Sequence, residues 1–320
     1  MTNLNSLEFK FKFVREGSAL SMFSKKGAAD ENHLTLGNAS LRYDDIIDTT
    51  TRDKRLIITL AQDTEIDPML AKSLAAQNAF VLEVNNINTS RVERYIDRQC
   101  AIREAEKSKQ RLAKEGNGHL FRTQVCTECE SIIDLSELDK SNYIYCRFCD
   151  TVLKNSGEKV ITGDSYRVCD ECSMFDRVRG YTEFYFYFLL IVYGYSYKKR
   201  YICDHCADGI FWKMLLLNFI FIIGVPSAIY MKIKSMSGRD PYLKKLAKAN
   251  ALAKKGKHQE ADVLYRELQN RYPDHPGILM NQALGHLYAN DAEGAEHYLR
   301  SAIKTCSNYL PVFQLLNRMQ

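Results

Sequence analysis

The chain has 320 residues, with 44 Lys and Arg against 39 Asp and Glu, a formal net charge of +5. That length exceeds one average core and suits two to four small domains, while the slight basic excess falls short of a dedicated nucleic-acid binder. Ten cysteines suggest a disulfide scaffold, but most fall in Cys-x-x-Cys pairs and Met1 to Phe13 has no apolar signal core, so thiolates on metal in a reducing compartment are expected instead.

The first segment reads as short strands. Phe9, Phe11 and Phe13 alternate with Lys10 and Lys12, which puts the aromatic rings on one face of a half-buried strand. His33 to Leu36, Leu41 to Ile47, Arg55 to Ala61 and Ala79 to Val84 continue the pattern, broken by Gly37-Asn38 and by Thr51-Arg52-Asp53-Lys54. The period then changes. Ser90 with Glu93 has the form of a capping box, and Val92, Tyr95, Ile96 and Cys100 recur at helical spacing. From Arg103 to Glu115 the helix is almost wholly polar and predicts a solvated stalk ending at Gly116-Asn117-Gly118. Strands closed by one amphipathic helix, residues 1–116, resemble the pleckstrin-homology-like folds. That resemblance rests on element order and implies lipid-headgroup binding, peptide binding or assembly. Lys10, Lys12, Lys25 and Lys26 could face a phosphate, but a solvated strand face and loop explain them more simply.

Cys126 and Cys129 are followed by Cys146 and Cys149. Zinc takes four ligands in a tetrahedron, and two Cys-x-x-Cys turns joined by a short hairpin supply them with little strain. Ile132, Ile133 and Leu135, then Tyr143, Ile144 and Tyr145, are strand material between the pairs, so residues 117–160 predict a zinc ribbon. Glu130 and Asp150 follow the second cysteine of each pair and disfavour direct phosphate contact. Cys169, Cys172, Cys203 and Cys206 predict a second ribbon over 161–209, with the aromatic run Phe184 to Tyr197 as a hairpin arm. This segment resembles bacterial zinc ribbons in which a hydrophobic arm leads into a Lys/Arg-Tyr-x-Cys-x-x-Cys knuckle. Sequential pairing is preferred to an interleaved cross-brace, iron could use the same ligands, and His205 reads as a spacer. Both zinc ions are expected to be structural, because a closed four-thiolate site leaves no open position.

Met214 to Met231 is nearly all apolar, flanked by Trp212 and Lys213 and by Lys232 and Lys234. Its length approaches the ~30 Å hydrocarbon thickness of a bilayer, so 210–235 predicts a membrane-associated helix in contact with lipid. Lysine and arginine counts slightly favour a cytoplasmic C-terminus, and the zinc domains also prefer the cytoplasmic side.

From Pro241 the chain turns helical with a self-match at an offset of 34: Ala249 with Ala283, Ala261 with Ala295, Arg266 with Arg300. Gly256, Ala261, Tyr265 and Pro273 fit the turn, small-residue, aromatic and proline positions of the tetratricopeptide repeat, which 241–320 therefore resembles. Two repeats fall below the three usually needed for independent stability, so a protein partner or a second copy of the chain is expected to support them. The predicted fold class is multidomain α+β: an N-terminal β-rich domain with a C-terminal helix, two small zinc ribbons, an apolar helix and all-α repeats. No enzyme motif is present. The leading functional expectation is a membrane-associated zinc-binding adaptor or scaffold, and the alternative is a nucleic-acid-associated zinc-ribbon protein.

Overall fold

The computed structural model describes residues 6–319 except 53–54, 76–77, 162–165, 190–191, 219–224, 237–239 and 241. The chain divides into two compact units, Met1–Glu137 and Leu138–Gln320. The Asp53-Lys54 turn, the tip of the aromatic run and the middle of Met214 to Met231 lie outside the described residues.

The first unit is built on β1 (Leu7–Arg15), β2 (Ser18–Ala19), β3 (Lys25–Ala29), β4 (His33–Leu36), β5 (Ala39–Arg42), β6 (Ile46–Arg52), β7 (Arg55–Leu60), the short helix α1 (Pro68–Ala71), β8 (Ala79–Val84) and the long helix α2 (Thr89–Lys114). The strands run β5-β4-β3-β1-β8-β7-β6, with β2 paired to β1, and every pairing is antiparallel. Two-residue alternation buries Phe9, Phe11 and Phe13 beside Leu56, Ile58, Phe80 and Leu82, and α2 closes that core with Val92, Ile96 and Cys100.

Three local expectations change. Asn88, not Ser90, caps α2: its side-chain oxygen accepts from the Ser90 N–H at 3.1 Å, and Glu93 instead accepts from the Thr51 N–H at 2.6 Å. Leu41 to Ile47 is not one strand, because a 3-10 turn at Tyr43–Asp45 separates β5 from β6. The buried Tyr43 hydroxyl, bonded to the Asp30 and His33 carbonyls, anchors that turn. The polar end of α2 is no free stalk, for Ala105 and Leu112 are buried and Lys107 and Arg111 pair with Asp44 and Glu137. β9 (Thr123–Val125) and β10 (Ile132–Asp134) complete this unit as an antiparallel hairpin.

The second unit contains β11 (Tyr143–Tyr145), β12 (Val152–Lys154), β13 (Tyr166–Val168), β14 (Phe175–Leu189), β15 (Val192–Cys203), α3 (Asp204–Asn218), α4 (Val225–Met236), α5 (Lys244–Ala253), α6 (His258–Gln269), α7 (Pro276–Tyr288), α8 (Ala292–Thr305) and α9 (Leu310–Met319). β14 and β15 pair along their length as a long hairpin. Helices α5 to α8 form two antiparallel pairs whose small residues Ala249, Ala261, Ala283 and Ala295 are all buried, so the backbones approach closely. The turn between α5 and α6 places Gly256 at φ +74°, and Asn290, 34 residues on, takes the same left-handed position at φ 59°. Asparagine is one of the few non-glycine residues that enters this region readily.

The predicted membrane-spanning helix is not found. No described helix is long and apolar enough to cross a membrane. The apolar stretch is shared between α3 and α4: α3 begins at Asp204 and carries Asp208 and Lys213, while α4 carries Lys232 and Lys234. Pro226 sits at the second position of α4, where a missing N–H breaks no helical bond. Phe211 and Met214 of α3 and Ala228 and Met231 of α4 bury against Val178, Tyr181 and Ile202 of the β14–β15 hairpin. The fold is therefore β-rich at its N-terminus and helical at its C-terminus, with cysteine clusters and, among the described residues, no apolar spanning helix.

Candidate metal centres

Three of the four Cys-x-x-Cys turns share one backbone construction. The N–H of Cys126 bonds the Ser131 carbonyl at 3.0 Å and the Glu130 N–H returns to the Cys126 carbonyl at 2.9 Å. Cys146 repeats this with Thr151 and Asp150, and Cys169 with Met174 and Ser173. The tight turn forces the residue after the second cysteine into the left-handed region: Glu130 at φ 62°, Asp150 at 60°, Ser173 at 57°. This is where glycine would relieve strain. The acidic residues noted there in the sequence have other contacts. Glu130 pairs with Arg98 of α2 at 2.8 Å, and Asp150 accepts from the Tyr145 hydroxyl at 2.5 Å and from Arg167 at 2.7 Å.

The fourth turn is different. Cys203 ends β15 and Cys206 lies in the first turn of α3, so the second cluster joins a hairpin turn to a helix N-terminus and departs from the predicted ribbon. Asp204, beside Cys203, receives the fully buried Arg177 through Nη2 at 2.5 Å and Nε at 3.0 Å, and the Tyr181 hydroxyl at 2.5 Å. Burial and the adjoining carboxylate push the Tyr181 hydroxyl well above its ordinary range. The Arg177–Asp204 pair ties the base of the hairpin to α3 and sets the position of the second cysteine pair.

The sulfurs of Cys126, Cys129, Cys146 and Cys149 lie within 4.8 Å of one another, as do those of Cys169, Cys172, Cys203 and Cys206. In the second cluster Cys169 and Cys206 are 4.0 Å apart and Cys172 and Cys203 3.9 Å apart. A tetrahedron with Zn–S bonds of ~2.3 Å has edges of about 3.8 Å, so the donor set fits a tetrahedral thiophilic cation. The pairing is sequential and not interleaved, and His205 is outside the donor set. The Cys203 N–H points at the Cys169 sulfur at 3.2 Å, and Lys254, the C-cap of α5, places its ammonium 3.4 Å from the Cys206 sulfur. Burial opposes the Lys254 charge, but Cys203 and Cys172 outweigh it and its pKa is raised. Hydrogen bonds from Cys169, Cys203 and Cys206 push Cys172 far below the usual thiol range, while Cys203 and Cys206 are driven up. Sulfurs held this close to one another have the arrangement that a cation relieves.

The helical repeats hold these turns by their backbone, which the sequence reading did not find. Asn281 of α7 accepts from the Phe175 N–H and donates to the Phe175 carbonyl, both at 2.7 Å, just past the Cys169–Cys172 turn. Asn250 of α5 adds a bond to the same carbonyl at 3.1 Å and receives the Tyr265 hydroxyl at 2.8 Å. Asn308, before α9, makes the same two-pronged contact with Tyr145, at 2.9 and 2.8 Å, just before Cys146. Each amide acts as a one-residue strand neighbour. Gly277 leaves room for the Phe175 ring, since a Cβ there would lie 2.4 Å from it. Tyr143, Tyr145, Val152, Tyr166, Met174 and Phe175 share one core with α5 to α9. The support expected from a partner thus comes, for the buried face of the repeats, from the cysteine-bearing segment of the same chain.

The model of the family described as Coatomer epsilon subunit matches residues 231–317. The match spans the helical repeats and leaves both cysteine clusters outside. The likeness is to a structural coat subunit and not to an enzyme. Comparison with curated proteins and with solved structures gives no significant match.

Proposed function

We propose that this chain is a membrane-associated, zinc-binding adaptor that engages a protein partner through residues 241–320. The observation that supports it best is the likeness of 231–317 to a coat subunit, on a helical segment welded to cysteine turns by the Asn250, Asn281 and Asn308 bonds. A surface fixed to a metal staple can hold a partner at a set angle to whatever the other elements bind. We read both clusters as structural zinc sites held by Cys126, Cys129, Cys146 and Cys149 and by Cys169, Cys172, Cys203 and Cys206. Four thiolates close the coordination sphere, so each ion staples and does not catalyse.

Membrane association, in this reading, is peripheral and on the cytoplasmic side. Trp212 and Leu216 on α3 and Ile229, Tyr230 and Ile233 on α4 are exposed, with Lys213 and Lys232 nearby in sequence. Apolar and aromatic side chains with basic neighbours suit the headgroup boundary of an anionic leaflet. The antiparallel strand path closed by α2 supports the pleckstrin-homology-like reading of the first unit.

Flotation of the full chain with anionic vesicles tests the proposal, followed by affinity capture from native membranes. The wild-type chain is expected to float and to retain two zinc ions and a co-purifying subunit. Leu216→Glu with Ile233→Glu is expected to stay at the bottom with its zinc intact. A wild-type chain that does not float, or a double variant that floats as well as the wild type, would overturn the membrane half; capture without a stoichiometric partner would overturn the adaptor half.

A further inference from the structure

Away from the cysteine clusters, the first residue of α6, the last turn of α7 and the cap of α8 bring His258, His286 and Asp291 together, with donor atoms all within 4.8 Å of one another. We propose that these three side chains form a third metal site, for a borderline divalent cation of the zinc class, which staples the two helical repeats across their junction.

The chemistry of His286 carries the argument. Its ring lies between two carboxylates: Nε2 is 3.3 Å from Asp262 Oδ2, and Nδ1 is 2.7 Å from Asp291 Oδ2. A neutral imidazole has one N–H. With that proton on Nε2 and donated to Asp262, Nδ1 becomes an acceptor facing a carboxylate, and a cation bound between the two makes that contact favourable. Asp262 is itself held in place, for Gln282 donates to its Oδ1 at 3.2 Å and Gln269 donates to Gln282 at 2.9 Å. A carboxylate that fixes the far nitrogen of a ligating histidine is the usual support of a metal site.

His258 supplies the independent observation. Its ring is 4.9 Å from that of His286, centre to centre, and its buried Nδ1 has no hydrogen-bond partner. A buried ring nitrogen without a partner costs free energy unless something binds it. Asp291 keeps its second oxygen for the Gly294 N–H, at 2.9 Å, and so caps α8 while Oδ2 faces the site. At Gly294 any Cβ would sit 2.3 Å from His286 Nδ1 and 2.5 Å from Asp291 Oδ2, so glycine keeps the site open. Two carboxylates with two neutral imidazoles are balanced by a charge of +2. Two nitrogens and one oxygen suit zinc, nickel or copper better than magnesium or calcium, and leave a fourth position for water.

Cobalt titration of the full chain tests this. Cobalt on cysteine gives thiolate charge-transfer absorption, whereas cobalt on His258, His286 and Asp291 gives weak ligand-field bands alone, so the third site is read apart from the other two. The wild-type chain is expected to take up one cation beyond those bound by cysteine. His258→Gln and Asp291→Asn, the latter keeping an oxygen for the α8 cap, are expected to lose that cation with helical circular dichroism unchanged. Asp262→Asn is expected to weaken it about 10–100-fold. No uptake beyond the thiolate sites in the wild-type chain would overturn the proposal and leave His286 as a ring hydrogen-bonded between two carboxylates. So would uptake undiminished in the variants.

Discussion

The two cysteine clusters share a spacing and differ in what surrounds them. Cys126 and Cys129 sit on a hairpin whose strands are three residues long, with Glu130 and Arg98 meeting at the surface. Cys203 and Cys206 sit where a long strand becomes a helix, over a fully buried arginine and within reach of an ammonium. Cys-x-x-Cys specifies ligands, and the neighbouring charges decide how much of the fold depends on them. Removing a ligand should separate the two clusters most. Structural zinc binding is worth about 10–16 kcal/mol in small metal-dependent folds. Cys203→Ser is therefore expected to abolish the cooperative thermal transition of the second unit, because the α3–α4 core and the hairpin base converge on that residue. Cys126→Ser is expected to loosen the hairpin of β9 and β10 and the Cys146–Cys149 turn and to leave that transition cooperative. Calorimetry with zinc analysis checks both, and equal damage would erase the distinction.

Arg177→Met comes next. It leaves Asp204 buried without its guanidinium, and breaking such a pair costs about 3–5 kcal/mol. Denaturant unfolding of the second unit reads the loss. Because Asp204 adjoins Cys203, zinc should also leave the second cluster faster on chelation, with the first unchanged. An Arg177→Met, Asp204→Asn double variant is expected to recover part of the stability.

This region also shows how much the sequence could say. The sequential grouping of the cysteines and the long hairpin were legible because Cys-x-x-Cys spacing and unbroken strand propensity are local signals. Phe9, Phe11 and Phe13 were legible for the same reason. β3 was not: Lys-Lys-Gly-Ala-Ala has no alternation, and it is a strand because Gly27 lets the Phe9 ring pack against its backbone, a contact made across the sheet. The membrane-spanning expectation failed because length and hydropathy count apolar residues without knowing their faces; Met214, Ala228 and Met231 are apolar to fill a protein core. The asparagines that hold Phe175 and Tyr145 were invisible because 106 and 163 residues separate the partners.

Titration offers a gentler separation of the two units. Burial, with Glu93 and Asp48 adding to it, raises Asp97 of α2 to about 7, against a bond from Thr49 that works the other way. Between 3.8 and 7 the folded first unit holds a proton that the unfolded chain has released, so its stability falls as pH rises through that window, by up to about 4 kcal/mol at ~1.4 kcal/mol per unit. In the second unit burial holds His275, the cap of α7, down at about 3. Between 3 and 6.5 the unfolded chain binds a proton that the folded unit refuses, so stability is lost as pH falls. Scanning calorimetry from pH 4 to pH 7 should therefore show two transitions moving in opposite directions, and Asp97→Asn should flatten the first alone. Parallel shifts would show that the two carboxyl and imidazole environments do not control the units separately.

The smallest effect is expected at the surface of the first cluster. Arg98 and Glu130 form an ion pair of 2.8 Å, shorter than many, yet their side chains are 48% and 68% exposed. Water and salt screen such a pair, and holding two long side chains in one geometry costs rotamer entropy, so exposed pairs contribute about 0.2–1 kcal/mol. The backbone bond from the Glu130 N–H to the Cys126 carbonyl holds the turn whatever the Glu130 side chain does. Arg98→Ala should therefore change the stability of the first unit by less than about 1 kcal/mol, with the residual effect vanishing in high salt. At the second cluster the Arg177 side chain is 0% exposed and Asp204 is 11% exposed, so salt should leave the Arg177→Met loss unchanged. If Arg98→Ala cost as much as Arg177→Met, or if salt erased both losses alike, burial would not be what distinguishes the clusters.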